Sequence, residues 1–415
     1  MSSAPQDPLH QLIRERMTGL PVMEHDPADG LPLQVVGFGP DEVIEATEAM
    51  VETFVTMGAR VRRFEAAFAS WVGCRQAVMV NSGSSANLLL WTSLVAAGRL
   101  RPGDEVLVPA VGWSTTLFPV IQAGLCAVMV DVEPRGLCMD PAAAAKAMGP
   151  RTKAAFPVHL LGATAEIEPL RELGLLVAED ACSGHGAEQG GHRAGGLGIA
   201  GAFSFFFSHH ITTVEGGIVV TDDAELADCM RSMRAHGWIR ERSDAAALAA
   251  AHPHVDPRFL FVTPGFNLRP TEMAAAFGLH QLPRLDGFVQ RRRANHQHWC
   301  RLVQQAGLPL TVFPEQAGTV HAGFAFPMQI AADAPYTRAE LLAFLEARRI
   351  ATRPISGSNL ARQPAFASLA ATRIPHPLPV ADAVHERGFF VGNSHAFGPG
   401  HGELLVRSLQ EFHHG

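Results

Sequence analysis

At 415 residues, and roughly 150 residues per domain, the chain has room for two or three domains. Its 47% hydrophobic and 18% charged residues describe a folded protein rather than a disordered one. A formal net charge of −7 weighs against a general nucleic-acid or membrane-surface binder. The polar N-terminus has no apolar signal-peptide core, and no apolar run reaches the ~18 residues of a membrane span, so a cytoplasmic protein is expected.

Residues 1–50 read as an N-terminal helix and arm. Residues 51–290 read as a large domain in which apolar or β-branched runs alternate with helical patterns. The runs are QAVMV (76–80), EVLVPA (105–110), CAVMVDV (126–132), AAFPVHLL (154–161), LLVAEDA (175–181), AFSFFF (202–207) and GGIVVTD (216–222). Strands so uniformly apolar are buried on both faces, which predicts an α/β fold with a mostly parallel sheet covered by helices. A charged helical pattern from about Val289 leads into a smaller α/β domain over 291–415. Six scattered cysteines (Cys74, Cys126, Cys138, Cys182, Cys229, Cys300) contain no CxxC pair and read as reduced and buried, with no metal site.

In such a sheet, ligands gather at the carboxyl ends of the strands, and four of these ends carry unusual residues. After QAVMV, Gly83, Ser84 and Ser85 open a helix whose amides suit a phosphate; ordinary capping reads equally well. After EVLVPA, Trp113 among small polar residues offers a face to a planar ring, with a core Trp as the plainer alternative. After LLVAEDA, Asp180 is costly to bury unless a positive group, such as a protonated ring nitrogen, meets it; a helix cap is the alternative. After AFSFFF come Ser208, His209 and His210, of which at most one imidazole need face the site, since neighbouring side chains of an extended chain diverge.

Together with VTMGARVRRFEAAFASWVG (55–73), PVHLLG (157–162), EDACSGHGAE (179–188), FSFFFSHHITTVEGGIVVTD (203–222) and PGFNLRPTEMAAAFGLHQL (264–282), these segments resemble the DegT/DnrJ/EryC1/StrS family of sugar aminotransferases and related enzymes over essentially the whole chain. The resemblance implies the aspartate aminotransferase-like architecture, fold type I of pyridoxal-phosphate enzymes: a mostly parallel seven-stranded sheet with a smaller C-terminal α/β domain. It implies that Gly83, Ser84 and Ser208 hold the phosphate of pyridoxal 5′-phosphate, that Trp113 stacks on its ring, and that Asp180 pairs with the pyridine nitrogen. Ser183 stands near the ring hydroxyl, where many members have glutamine. Asn267 would reach the phosphate of a neighbouring subunit, implying a homodimer with shared active sites.

The departure is His209, where family aminotransferases place a lysine that anchors the cofactor covalently. An imidazole gives no such anchor but serves as a general base near neutral pH. A histidine here resembles the family's 3-dehydratases, which make 3,6-dideoxysugars. So do His209-His210-Ile211-Thr212-Thr213, the string from Arg234 to Trp238, and the string from Thr352 to Phe366, although relatives commonly place glycine directly before Asn359 and this chain has Ser358. Relatives with an iron–sulfur cluster have closely spaced cysteines just past Gly237, whereas this chain has none between Cys229 and Cys300. The implied activity is therefore glutamate-dependent, without a cluster or a partner reductase. Pyridoxamine 5′-phosphate, made with L-glutamate as amino donor, would remove the C3 hydroxyl of a nucleotide-linked 4-keto-6-deoxyhexose, GDP-linked by this resemblance, with His209 as base. An aminotransferase and a non-catalytic sugar-nucleotide binder are the alternatives. Arg353 and Arg362 are expected to meet the glutamate carboxylate or the diphosphate, with exposed ion pairs as the alternative reading. His185, His210 and Glu215 are expected in the sugar pocket. The pathway, O-antigen or natural product, stays open.

Overall fold

Each of the seven apolar runs contributes strand to one sheet in the computed structural model, which describes residues 7–19, 24–35, 37–367 and 369–415. From one side, the order is Cys126–Val130, Glu105–Pro109, Thr152–Ala155, then Leu176–Val177 continuing through Ala178 into Glu179–Asp180, then Ala200–Ser204, Gly217–Thr221 and Gln76–Val80. Gly217–Thr221 runs antiparallel to both its neighbours, and the others run parallel. All five residues of Glu105–Pro109 are buried. Val106 and Val108 point to one face, against Leu89, Leu90, Trp91 and Leu94 of the helix Gly83–Ala96. Leu107 points to the other, with Val128, Val130 and Leu170. That two-sided burial is why these strands read as unbroken apolar runs.

Two runs stop earlier than their composition predicts. The 154–161 run ends as regular strand at Ala155, near Pro157, which has no N–H to give, keeps only a bridge from Val158 to Asp180, and turns through Leu160–Gly162 with Leu161 at φ +52°. The 202–207 run leaves its ladder at Ser204, and Phe206 and Phe207 stand exposed beyond it. Both early exits form loops on the side where the site is built.

Leu310–Val312, Ala325–Ile330, Gly388–Gly392 and Thr352–Arg353 form a second, antiparallel sheet. Phe326, Met328, Phe389 and Val391 pack there with Leu341, Leu345, Leu405 and Leu409 of flanking helices. The expected boundary at residue 290 falls inside one helix, Leu285–Gln305, which spans about 30 Å at 1.5 Å per residue. Its Phe288 and Val289 belong to the core under the large sheet, and its Trp299, Cys300 and Val303 to the core of the small one. The assignments by sequence position blur elsewhere too. Leu31 and Val35 of the N-terminal arm pack in the small core, and Thr372–Arg373 adds to the edge of the large sheet beside Cys126–Val130.

Candidate active site

Asp180 ends the middle strand and is 4% exposed. Its Oδ2 accepts from Thr116 Oγ1 at 2.7 Å and Asn87 Nδ2 at 3.1 Å, and its Oδ1 from the Cys182 amide at 3.2 Å. None of these donors is charged, and among the described residues no arginine, lysine or histidine pairs with this carboxylate. A buried anion held only by neutral donors is set to receive a cation. Cys182, beside it, has its thiol pKa pushed well up by burial and then by the Asp180 charge, so it stays protonated. Thr116 lies in the first turn of the helix Ser114–Gln122, and Trp113 caps that helix with its side chain turned outward, the residue being 60% exposed. One helix start thus delivers both a partner for Asp180 and an open aromatic face.

The helix Gly83–Ala96 starts at the neighbouring strand end. Ser82 caps it by accepting from the Ser85 amide, while the amides of Gly83 and Ser84 precede the first intrahelical bond and are available to an anion. A Cβ at Gly83 would collide with Ser204 at the end of its strand, so only glycine lets this helix start approach so closely. Ser208 is half-buried in the loop that leaves that same strand. Asn267 is exposed, its Oδ1 accepting from Arg269 Nε at 2.9 Å.

The loop 205–216 is closed at its base by Phe205 N–H to Gly216 O at 2.9 Å and Thr213 N–H to Phe205 O at 3.0 Å. It presents His209, half-buried, with Nδ1 facing inward and without a hydrogen-bond partner among the described residues. Burial, reinforced by the Arg292 guanidinium, pulls this imidazole down to about 3, so the ring is neutral around neutral pH. The sequence placed His185 and His210 in the sugar pocket; the structure buries both behind His209. His185 is 0% exposed among Phe68, Phe203 and Phe205, 6.1 Å ring to ring from His209, and neither of its nitrogens has a hydrogen-bond partner among the described residues. His210 is 1% exposed and gives Nε2–H to Ala322 O at 3.1 Å. Burial holds both rings well below the usual histidine range. Glu215 is exposed at the far end of the loop.

Ser183 spends its hydroxyl on the backbone: Oγ donates to His159 O at 2.8 Å and accepts from the Leu161 amide at 3.1 Å, bracing the loop that Pro157 starts. Arg353 is exposed and turned back on the Thr352 carbonyl at 2.7 Å. Arg362 is committed to Asp382, with Nε to Oδ1 at 2.9 Å, an oxygen that also accepts from Asn359 Nδ2 at 2.7 Å. The segment 357–360 reaches the Trp113 side through Gly357 N–H to Gly112 O at 2.7 Å and Leu360 N–H to Ala110 O at 2.8 Å.

The sequence reading missed Asn87, Thr116 and Arg292. Asn87 had a signal, as the one amide in a helix whose other polar side chains, apart from the indole of Trp91, are small hydroxyls. The whole chain has two lysines, Lys146 and Lys153, both exposed, and the Nζ of Lys153 bonds the Pro150 carbonyl. Neither lies in the site, so no amine there can anchor a carbonyl cofactor. The remaining features fit a pyridoxal-type group: an uncompensated buried carboxylate, a glycine-start helix for a phosphate, and an open Trp face.

A model of the DegT/DnrJ/EryC1/StrS aminotransferase family matches residues 39–410. The chain is 35% identical over 363 residues to the GDP-4-keto-6-deoxy-D-mannose 3-dehydratase of Yersinia pseudotuberculosis, covering 85% of this chain and 91% of that protein. It is 38% identical over 394 residues to the dTDP-4-dehydro-2,6-dideoxy-D-glucose 3-dehydratase of Saccharopolyspora spinosa, covering 90% and 84%. Among solved structures, a GDP-4-keto-6-deoxymannose-3-dehydratase with a trapped PLP-glutamate geminal diamine superposes with a TM-score of 0.84 at 31% identity, over 92% of this chain and 100% of that one. Among the described residues no helix is long and apolar enough to cross a membrane.

Proposed function

The chain belongs to the DegT/DnrJ/EryC1/StrS aminotransferase family, and from that premise we propose that it deoxygenates C3 of a nucleotide-linked 4-keto-6-deoxyhexose at the expense of glutamate, rather than transaminating the sugar. The observation that carries this reading is His209 standing in the site with no lysine near it. In the net reaction, glutamate becomes 2-oxoglutarate and ammonia, and its two electrons replace the C3 hydroxyl by hydrogen. That balance needs neither an iron–sulfur cluster nor a reductase. Two relatives named as sugar 3-dehydratases, at 35% and 38% identity, support the reading and differ in nucleotide, so GDP- and dTDP-linked substrates are both to be tested.

When bound, pyridoxamine phosphate would supply an amine for the sugar ketone and a ring that takes up the electron pair left by proton removal, so that the C3 hydroxyl can then leave with a pair of its own. The chain's own residues do the rest. Gly83 and Ser84 amides, with Ser208, hold the phosphate; Asp180, oriented by Thr116 and Asn87, keeps a proton on the ring nitrogen; Trp113 covers a ring face. His209, neutral and with Nδ1 buried, takes and returns protons at Nε2. It gains proton affinity once Ser208 and the Gly83–Ser84 amides hold an anion, because that charge offsets Arg292. Arg353 is the proposed partner for a carboxylate or diphosphate, whereas the Asp382 pairing leaves Arg362 less charge to offer. Asn267, exposed in one chain, is proposed to complete the phosphate site of a second copy.

The test is incubation with pyridoxal phosphate, glutamate and the GDP- or dTDP-linked 4-keto-6-deoxy sugar, followed by mass spectrometry. A product lighter by one oxygen atom, with ammonia released and both lost in His209→Asn, supports the proposal. An amino sugar as the major product overturns it.

A further inference from the structure

The loop His321–Phe324 of the small domain has no slack. Ala322 gives its N–H to Gly162 O at 2.8 Å and takes the His210 Nε2–H on its carbonyl at 3.1 Å. Gly323 gives its N–H to His321 Nδ1 at 3.0 Å and accepts Asn393 Nδ2 at 2.8 Å. Phe324 gives its N–H to Leu161 O at 3.1 Å and accepts Arg292 Nη1 at 3.1 Å. All six N–H and C=O groups of Ala322, Gly323 and Phe324 are thus spoken for. Gly323 sits at φ +62°, where a Cβ would lie 2.7 Å from the Arg292 carbonyl, so the turn tolerates only glycine.

Two fully buried side chains, both from outside the loop, clamp it. Arg292 is 0% exposed and also donates to Asn393 O and, at 3.2 Å, to Gln34 Oε1, with no carboxylate partner among the described residues. Asn393 is 0% exposed, bonds the Arg292 carbonyl at 2.8 Å and accepts from Asn295 at 3.2 Å. A buried guanidinium without an anion is costly, and burial alone drags its pKa down to about 9. What the clamped loop delivers is the Phe324 ring, 5.1 Å from the His209 ring and 5.6 Å from that of His210.

We propose that Arg292 and Asn393 are positioning residues for His209, acting through the His321–Phe324 loop to hold Phe324 as a fixed wall against the imidazole. The idea rests on His209 being the base. Displacing a reacting group by about an ångström costs up to about 100-fold, so such a wall is worth having.

The experiment is a double-mutant cycle of Asn393→Ala and Phe324→Ala, with His209→Asn as control. Each single change should lower kcat for sugar deoxygenation about ten-fold or more while moving KM less than about two-fold. The double variant should be no worse than about two-fold below the poorer single one, because the clamp acts only through the wall. Independently of turnover, the His209 ring signal in histidine-labelled apoprotein, assigned by its loss in His209→Asn, should shift in Asn393→Ala towards its position in Phe324→Ala. Additive losses, or an unmoved ring signal in Asn393→Ala, overturn the proposal. If Asn393→Ala does not fold, Arg292→Lys, which keeps the charge but not the fork of donors, takes its place with the same expectations. Full deoxygenation by His209→Asn would instead sink the base assignment, a failure visible apart from the cycle.

Discussion

Exchanging His209 for asparagine removes a titrating ring and keeps a polar side chain. The native ring titrates at about 3, whereas a histidine in the unfolded chain titrates near 6.5. Between those two values only the unfolded state binds the proton. The contribution of this ring to stability is therefore complete above about pH 6.5 and is lost as the pH falls towards about 3. Integrated from about pH 7 to about pH 5, one such group accounts for about 2 kcal/mol, an upper value because part of the ring meets solvent and is screened. Urea denaturation of the apoprotein across that window measures it. Wild type should lose about 1–2 kcal/mol more than His209→Asn, with an unchanged denaturant slope. His185, His210, His296 and His321, also lowered by burial, add an acid sensitivity common to both proteins, which the comparison cancels. Parallel pH curves would refute the reasoning, since the native ring would then take up a proton as readily as the unfolded chain.

Three further outcomes are expected. Thr116→Val deletes the 2.7 Å bond to the Asp180 carboxylate and should destabilise the apoprotein by about 1.5–3 kcal/mol in urea melts, the usual worth of a hydrogen bond to a charged group. Ser358 occupies φ +56°, directly before Asn359; Ser358→Gly should therefore stabilise by about 0.5–1 kcal/mol in thermal melts, the relief of left-handed strain less the entropy of a freer unfolded chain. Borohydride reduction of the pyridoxal-phosphate-loaded protein should leave no pyridoxyl label on the peptide containing His209, read by peptide mass spectrometry, because the only two lysines lie elsewhere.

Strand cores were legible because a strand buried on both faces has no polar alternation to confuse the eye, and Glu105–Pro109 is the plainest case. Strand ends were not. A run of phenylalanines continues through Phe207, although the ladder stops at Ser204, since composition does not record where a partner strand ends. Asp180 could be picked out because a charge ending an apolar run is conspicuous, whereas His209 stood apart from His210 only through the family resemblance, which puts a lysine at its place. Thr116 is an ordinary helix residue whose role appears only when two helix starts converge on one carboxylate. Arg292 is hidden in a string of three arginines. The buried stripe Leu285, Phe288, Val289, Arg292, Asn295, His296 and Trp299 shows afterwards that helical phase, not residue type, set it apart. For Arg362 the sequence left ligand contact and an exposed ion pair both open, because Asp382, which pairs with it, lies twenty residues further along the chain.

The helix Leu285–Gln305 behaves as a shared beam. Trp299 at one end and Phe288 towards the other cannot leave their cores separately without breaking the same stretch of backbone hydrogen bonds. The two lobes should therefore melt in a single transition, and a protease should find no stable intermediate fragment to release. A C-terminal piece begun after residue 305 would lack the indole that fills its own interior, so this enzyme is not divisible at the point where its sheets suggest a seam.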